Sequence, residues 1–166
     1  MTDEVQYFGY GANRHPTMMK AIIGRVPEGY PATISGFELC IQNLGQMPPD
    51  VQKILSPPWD ETFRSYILRP ASSYHPKPIR GMVWKLTPEE RKLIDFWEMT
   101  GIWYKKFVLA YQKPDENVQI EIQIVDDQPV AEVLHHRKYK SYLNNKRKMW
   151  NVAMKLRERY LHDHTN

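Results

Sequence analysis

Cysteine is nearly missing from this chain: Cys40 is the only one among 166 residues, so no intrachain disulfide can staple the fold. Lying between Leu39 and Ile41 in a strand-like run, Cys40 reads as a small buried hydrophobe. Long apolar runs are missing too. Segments such as Met18 to Ile23 and Gly81 to Trp84 fall far short of the about 20 residues that a bilayer span needs. The N-terminal Met-Thr-Asp-Glu lacks the basic-then-apolar layout of a signal peptide, so the expectation is a soluble, unexported protein of the cytoplasm with no membrane association. No internal repeat or low-complexity tract appears, which excludes solenoids, collagen-like fibres and disordered tails. What remains, with 42% hydrophobic residues and 12% aromatics, has the make-up of a single domain spanning 1–166.

Charge is unevenly placed. Residues 135–166 carry nine Lys and Arg against two acidic residues, whereas residues 1–134 carry fourteen against seventeen, so a net +7 segment follows a net −3 body. Within the basic segment, Tyr142, Leu143, Met149, Trp150, Ala153, Leu156 and Tyr160 recur at helical spacing, with Lys146, Lys148, Lys155 and Arg159 mostly between them. This pattern predicts an amphipathic helix over about 139–161 that docks on the domain and solvates its basic face. Nucleic-acid binding is the less favoured reading of the same charges.

Alternation and β-branched content predict strands at Val5 to Phe8, Ala32 to Gln42, Phe63 to Leu68, Arg80 to Leu86, Tyr104 to Tyr111 and Val118 to Val125. Helices are expected at Pro16 to Ile23 and Pro88 to Glu98, besides the C-terminal one. Strands that follow one another with few helices between them do not suit a doubly wound parallel sheet. They favour an α+β domain with a curved, mostly antiparallel sheet or small β-barrel flanked by helices. The Pro-rich stretch from Gln46 to Trp59 reads as a rigid surface loop, with a lid as the alternative.

Two segments could carry chemistry. In Tyr7-Phe8-Gly9-Tyr10-Gly11-Ala12-Asn13 an apolar strand enters a loop with glycines and then a helix opening near His15-Pro16-Thr17. Such a loop can turn backbone N–H groups toward an anion or a developing oxyanion, or it can be a plain strand-to-helix turn. It is not a dinucleotide fingerprint, because Arg14 stands where the third glycine would be, and it lacks the Gly-Lys-Ser/Thr of a Walker loop. In the second segment, Thr87 is an N-cap, Pro88 takes the first helical position and Glu90 closes a capping box. Leu93, Ile94 and Trp97 form the inward stripe of that helix, and Glu98 continues it at the C-terminal end. Apolar surroundings and the negative end of the helix dipole would both raise the pKa of an inward Glu98 toward the working range of a general base and acid. The bland alternative has Glu98 in water or paired with Lys105 or Lys106. His135-His136 and His162-x-His164 lack the spacing of a zinc site, and no G-x-S-x-G elbow is present, so neither a metal, a cofactor nor a serine nucleophile is expected.

Taken together and in order, the N-terminal strand with Tyr10-Gly11-Ala12-Asn13, the strand Ile79 to Thr87 centred on Gly81, and Leu93-Ile94-Asp95-Phe96-Trp97-Glu98 resemble the γ-glutamylcyclotransferase-like family, which includes the AIG2-like proteins. The likeness runs from about Val5 to Leu161. It implies a small β-barrel flanked by helices and an intramolecular acyl transfer, of lyase type, that releases 5-oxoproline and a free amine from a γ-glutamyl compound without a cofactor. Glu98 falls on the catalytic carboxylate. Gly11, Ala12 and Asn13 would supply backbone donors, Tyr10 a wall or a hydrogen bond, and Tyr104 a further family-like position. A late-helix tyrosine, Tyr139 or Tyr142, would close the pocket. Three departures stand out: Ala12 in place of Ser, Met99 where Gly commonly follows the Glu, and an inserted-looking Thr100-Gly101. The alternatives are a related γ-glutamyl transferase that deprotects a specialised metabolite, and a non-catalytic module binding a small anion or nucleic acid on the same fold. A homodimer is left open.

Overall fold

The computed structural model describes residues 3–72, 77–134, 139–140 and 142–165. Strand β1 (Val5–Gly9) leads through a 3-10 turn, Gly11–Arg14, into helix α1 (Pro16–Ile23). Pro16 starts that helix and Gly24, at φ 94°, ends it in the left-handed conformation, as the sequence predicts. Next come β2 (Gly29–Ile34), β3 (Phe37–Asn43), α2 (Pro49–Leu55), β4 (Arg64–Pro70) and β5 (Ile79–Leu86). The chain continues through α3 (Pro88–Glu98), β6 (Lys105–Gln112), β7 (Asn117–Ile124) and the short β8 (Glu132–Val133), and closes with α4 (Lys146–His164).

Three expectations change. The run from Ala32 to Gln42 is two strands, β2 and β3, broken at Ser35-Gly36, where Gly36 takes φ 92°. The Pro-rich stretch holds a helix, α2, with Pro49 at its first turn and Val51 and Leu55 buried. The C-terminal helix starts at an Asn145 cap, whose side chain accepts from the Lys148 amide, so Tyr139 and Tyr142 precede the helix.

The architecture is α+β with mixed sheets. One sheet has five strands in the order β2-β5-β1-β7-β6, and the other has three, β4-β3-β8. In the first, β1 runs antiparallel to β5 and parallel to β7. The Val125 amide, just past β7, donates to Leu68 of β4 at 2.8 Å and joins the sheets at one corner. Among the described residues the ladders form these two sheets and no closed barrel. The break at Gly36 is one of the points where the chain passes from one sheet to the other.

Alternation in β7 works as expected on one face, where Ile120, Ile122 and Ile124 are buried. On the opposite face, polar in sequence, Gln119 is exposed as expected, but toward the strand end α3 approaches it, Glu121 pairs with Arg91 and Gln123 is buried. A single core cluster runs from Tyr7 and Phe8 of β1 through Met18, Met19 and Ile22 of α1 to Met149 and Ala153 of α4. Cys40 lies in it, fully buried, with its thiol pushed up to about 11 by burial. No described helix is long and apolar enough to cross a membrane.

Candidate active site

Gly9, at the end of β1, sits against the carbonyl of Asn13, where any side chain would collide. Gly11 has φ 61° and lies over the Tyr66 ring, which a Cβ would approach to 2.9 Å. The two glycines thus fold the strand back on itself in one tight turn. The Asn13 amide N–H closes that turn by donating to the Tyr10 carbonyl at 3.2 Å, and the Trp84 indole N–H donates to the Asn13 carbonyl at 2.8 Å. With its backbone so engaged, Asn13 offers its side chain. The buried Nδ2 donates to the Tyr7 hydroxyl at 2.9 Å and to Glu98 Oε1 at 2.5 Å.

Glu98 is therefore where the inward stripe of α3 places it, at the helix end and against the glycine loop. The capping box that starts this helix is formed, with the Thr87 side chain accepting from the Glu90 amide and Glu90 bonding back to Thr87. The alternative pairing with Lys105 or Lys106 does not occur, since Lys105 pairs with Asp126 and Lys106 with Asp95 and Glu121. Burial raises the Glu98 pKa to about 7, and Asp95 adds to the rise. Arg91, Asn13 and the Tyr7 hydroxyl act against it by favouring the carboxylate. The result is a carboxyl that can exist in either form near neutrality.

Past Glu98 the helix ends on Met99, at φ 51° and ψ 48°, a left-handed cap that glycine would adopt without the about 1–2 kcal/mol cost. Thr100 and Gly101 carry the turn onward. The Thr100 amide donates to the Asp95 carbonyl at 2.9 Å, its hydroxyl donates to Asp95 Oδ1 at 2.9 Å, and Gly101 takes φ 94°. The two residues that look inserted thus anchor the end of α3.

A cavity of about 370 Å3 opens in front of this arrangement. Tyr10, Gly11, Ala12, Asn13, Glu98, Tyr104 and Tyr142 all face it. Tyr10 is a wall: its hydroxyl donates to the Gln123 carbonyl at 2.5 Å. Tyr104 donates to the Tyr66 carbonyl at 2.8 Å and lies 3.1 Å from the Ser65 hydroxyl. Burial holds both phenols well above their ordinary pKa, so they stay neutral donors. Between the two late tyrosines, Tyr142 lines the cavity, stacked on His15 at 5.0 Å. Tyr139 stands behind the loop, with the Arg14 guanidinium 3.7 Å above its ring and its hydroxyl donating to the Arg80 carbonyl.

Sequence reasoning missed three groups here. Tyr7 bonds to Asn13 and to the Glu98 carboxyl. Arg91, buried at 3% exposure, pairs with Asp95 and Glu121 at 2.9 Å each and lies over the Tyr7 ring. Its signal was present, because Arg91, Asp95 and Glu98 follow at i, i+4 and i+7, one face of a helix. The third group comes from the Pro-rich stretch, where Ile54, Leu55 and Trp59 wall the cavity. An exposed stripe of Lys138, Lys140, Arg147 and Arg157 would favour the nucleic-acid reading of the basic segment; Arg147 is exposed, but Arg157 donates to the Lys20 carbonyl at the end of α1 and Lys140 pairs with Glu132, while Lys138 lies outside the described residues. His135 and His136 lie outside them too, and His164 stacks on Tyr160.

No protein-family model and no curated protein matches the chain. Its fold is similar to solved structures across nearly its whole length. The crystal structure of loc79017, an uncharacterized protein of Homo sapiens, matches with a TM-score of 0.58 at 14% identity, covering 97% of this chain and 86% of that one. The solution structure of At5g39720.1 from Arabidopsis thaliana matches with a TM-score of 0.50 at 15% identity, covering 96% and 87%. At such identities the likeness lies in the fold.

Proposed function

We propose that the chain is a γ-glutamylcyclotransferase-like, AIG2-like enzyme of the cytoplasm that converts a γ-glutamyl compound to 5-oxoproline and a free amine. In this reading the two joined sheets are an opened form of the family's small barrel. The observation that carries the proposal is Glu98: a half-buried carboxyl poised near neutrality, hydrogen-bonded to the glycine loop, at the wall of a cavity of small-molecule size.

The chemistry is internal to the substrate. Glu98 takes a proton from the α-ammonium, the freed nitrogen attacks the γ-carbonyl carbon, and the C–N bond to the leaving amine breaks as the lactam forms. Two protons leave the nucleophilic nitrogen and two reach the departing one, so Glu98 ends as it began and neither water nor a cofactor is consumed. Nucleophile and electrophile belong to one molecule, so the pocket need only hold the γ-glutamyl arm folded. Amides of Gly11 and Ala12, at the turn, are the donors assigned to carboxylate or oxyanion oxygens, and Asn13 holds Glu98 rather than the substrate.

The test is 5-oxoproline release from γ-glutamyl amino acids, γ-glutamyl amines and glutathione by wild type and Glu98→Gln. Release by wild type, reduced at least about 1,000-fold in the variant, is expected from loss of the proton shuttle. No release from any compound would sink the proposal.

A further inference from the structure

Cyclisation engages only the γ-glutamyl arm, yet the cavity extends well beyond what that arm touches. Its far walls are aromatic. Trp59 and Phe63 pack together with ring centroids 4.8 Å apart, and Trp97 and Trp103 flank Glu98 in sequence and face the same space. None of these rings has a part in the proton transfer, so the volume that they enclose belongs to the group on the other side of the scissile bond.

Charge on the walls is one-sided. Among the described residues Glu98 is the only acidic one lining the cavity, whereas Arg64 and Lys155 line it without a carboxylate partner; the Arg14 guanidinium is turned to Tyr139 and the Gly11 carbonyl. The Lys148 ammonium adds to this by sitting 4.7 Å from the centre of the Trp59 ring. A leaving amine with a second cation would meet like charge, and one with a carboxylate would find partners.

On the cyclotransferase reading, we propose that the leaving amine is an aromatic α-amino acid. The substrate is then a γ-glutamyl dipeptide whose side chain fills the Trp59–Phe63 end of the cavity and whose carboxylate meets the Arg64 and Lys155 rim. The bond broken is the amide between the glutamyl γ-carbon and the amino acid's nitrogen, and the proton returned by Glu98 goes to that nitrogen.

Four conjugates separate the possibilities: γ-glutamyl-phenylalanine, γ-glutamyl-alanine, γ-glutamyl-phenethylamine, which lacks the carboxylate, and γ-glutamyl-putrescine, which adds a cation. For 5-oxoproline release, kcat/KM is expected to be at least about tenfold higher for the phenylalanine conjugate than for each of the others. Calorimetric binding to Glu98→Gln should follow the same order. Release or binding of the alanine or putrescine conjugate as good as that of the phenylalanine conjugate overturns the inference. Preferential binding of γ-glutamyl-phenylalanine with no release from any conjugate sinks the cyclisation reading and leaves the ligand class standing; no release and no preference sinks both. Two exposed wall positions give variants that fold without strain on the core, checked by an unchanged Tm. Ile54→Asn should reduce the phenylalanine-to-alanine ratio, and Lys155→Glu the phenylalanine-to-phenethylamine ratio, each several-fold. Ratios that both substitutions leave unchanged count against the assignment.

Discussion

A carboxyl that must take a proton and then return it does so best when its pKa lies near the working pH, and burial brings Glu98 there, to about 7. The base form starts the reaction, so kcat/KM should rise with pH through about 7, which a pH–rate profile on a γ-glutamyl substrate would check. Stability should move the other way. Because the folded chain holds this proton more tightly than the ordinary value of 4.5 allows, the stabilisation is complete below about pH 4.5 and is lost as pH rises through about 7. At pH 8 Glu98→Gln should therefore be more stable than wild type, by on the order of 2 kcal/mol in denaturant titrations, since the cavity leaves the carboxyl partly solvated. Asn13 opposes the upward shift by donating to the carboxylate, so Asn13→Ala should displace the acidic limb of the rate profile to higher pH and cut kcat/KM about 10- to 100-fold. The position of Glu98 was legible in the sequence because its stripe obeys helical period. The role of Asn13 was legible only as a backbone donor, since nothing in Gly-Ala-Asn-Arg tells that the amide N–H closes the turn and the side chain faces the acid.

Helix α3 carries the acid, and its start is specified more strongly than its end. Thr87 and Glu90 satisfy the first turn reciprocally, so Thr87→Ala should cost about 1 kcal/mol in urea unfolding without altering the cavity walls. The elements with clear caps and period, α1, α3 and β7, were readable from sequence. Those that were misread have physical reasons of their own. Helix α2 has seven residues between Pro48 and Ser56, too few for periodicity to emerge from a proline-rich background. The junction of β2 and β3 keeps an apolar rhythm through Ser35-Gly36, and only the positive φ of Gly36 reveals the corner. In α4, apolar residues from Tyr142 onward continue the helical spacing upstream of the Asn145 cap, although there they serve the cavity wall.

Across the molecule, Arg91 ties α3 to the five-stranded sheet. Its guanidinium bonds Glu121 of β7 and Asp95 of its own helix, with Lys106 of β6 supplying a second cation to both acids. Arg91→Met should destabilise the fold by about 2–4 kcal/mol, measured by chemical denaturation, because two partly buried carboxylates would be left to share the half-exposed Lys106. Such long-range partnerships were beyond the reach of patterns in a single sequence. The central place of β1 also bears on how the protein is made. Its hydrogen-bonded neighbours are β5 and β7, so the strand that presents the glycine loop is synthesised before either and is paired on both edges only after Asn117–Ile124 has emerged. Tyr10 waits as long for its acceptor, the Gln123 carbonyl. Nascent chains released before that point would hold every residue of the loop and Glu98 as well, yet lack the strand that seats them. The site can thus be assembled only once β7 has been made, a cost in contact order that a fold with local pairings would escape.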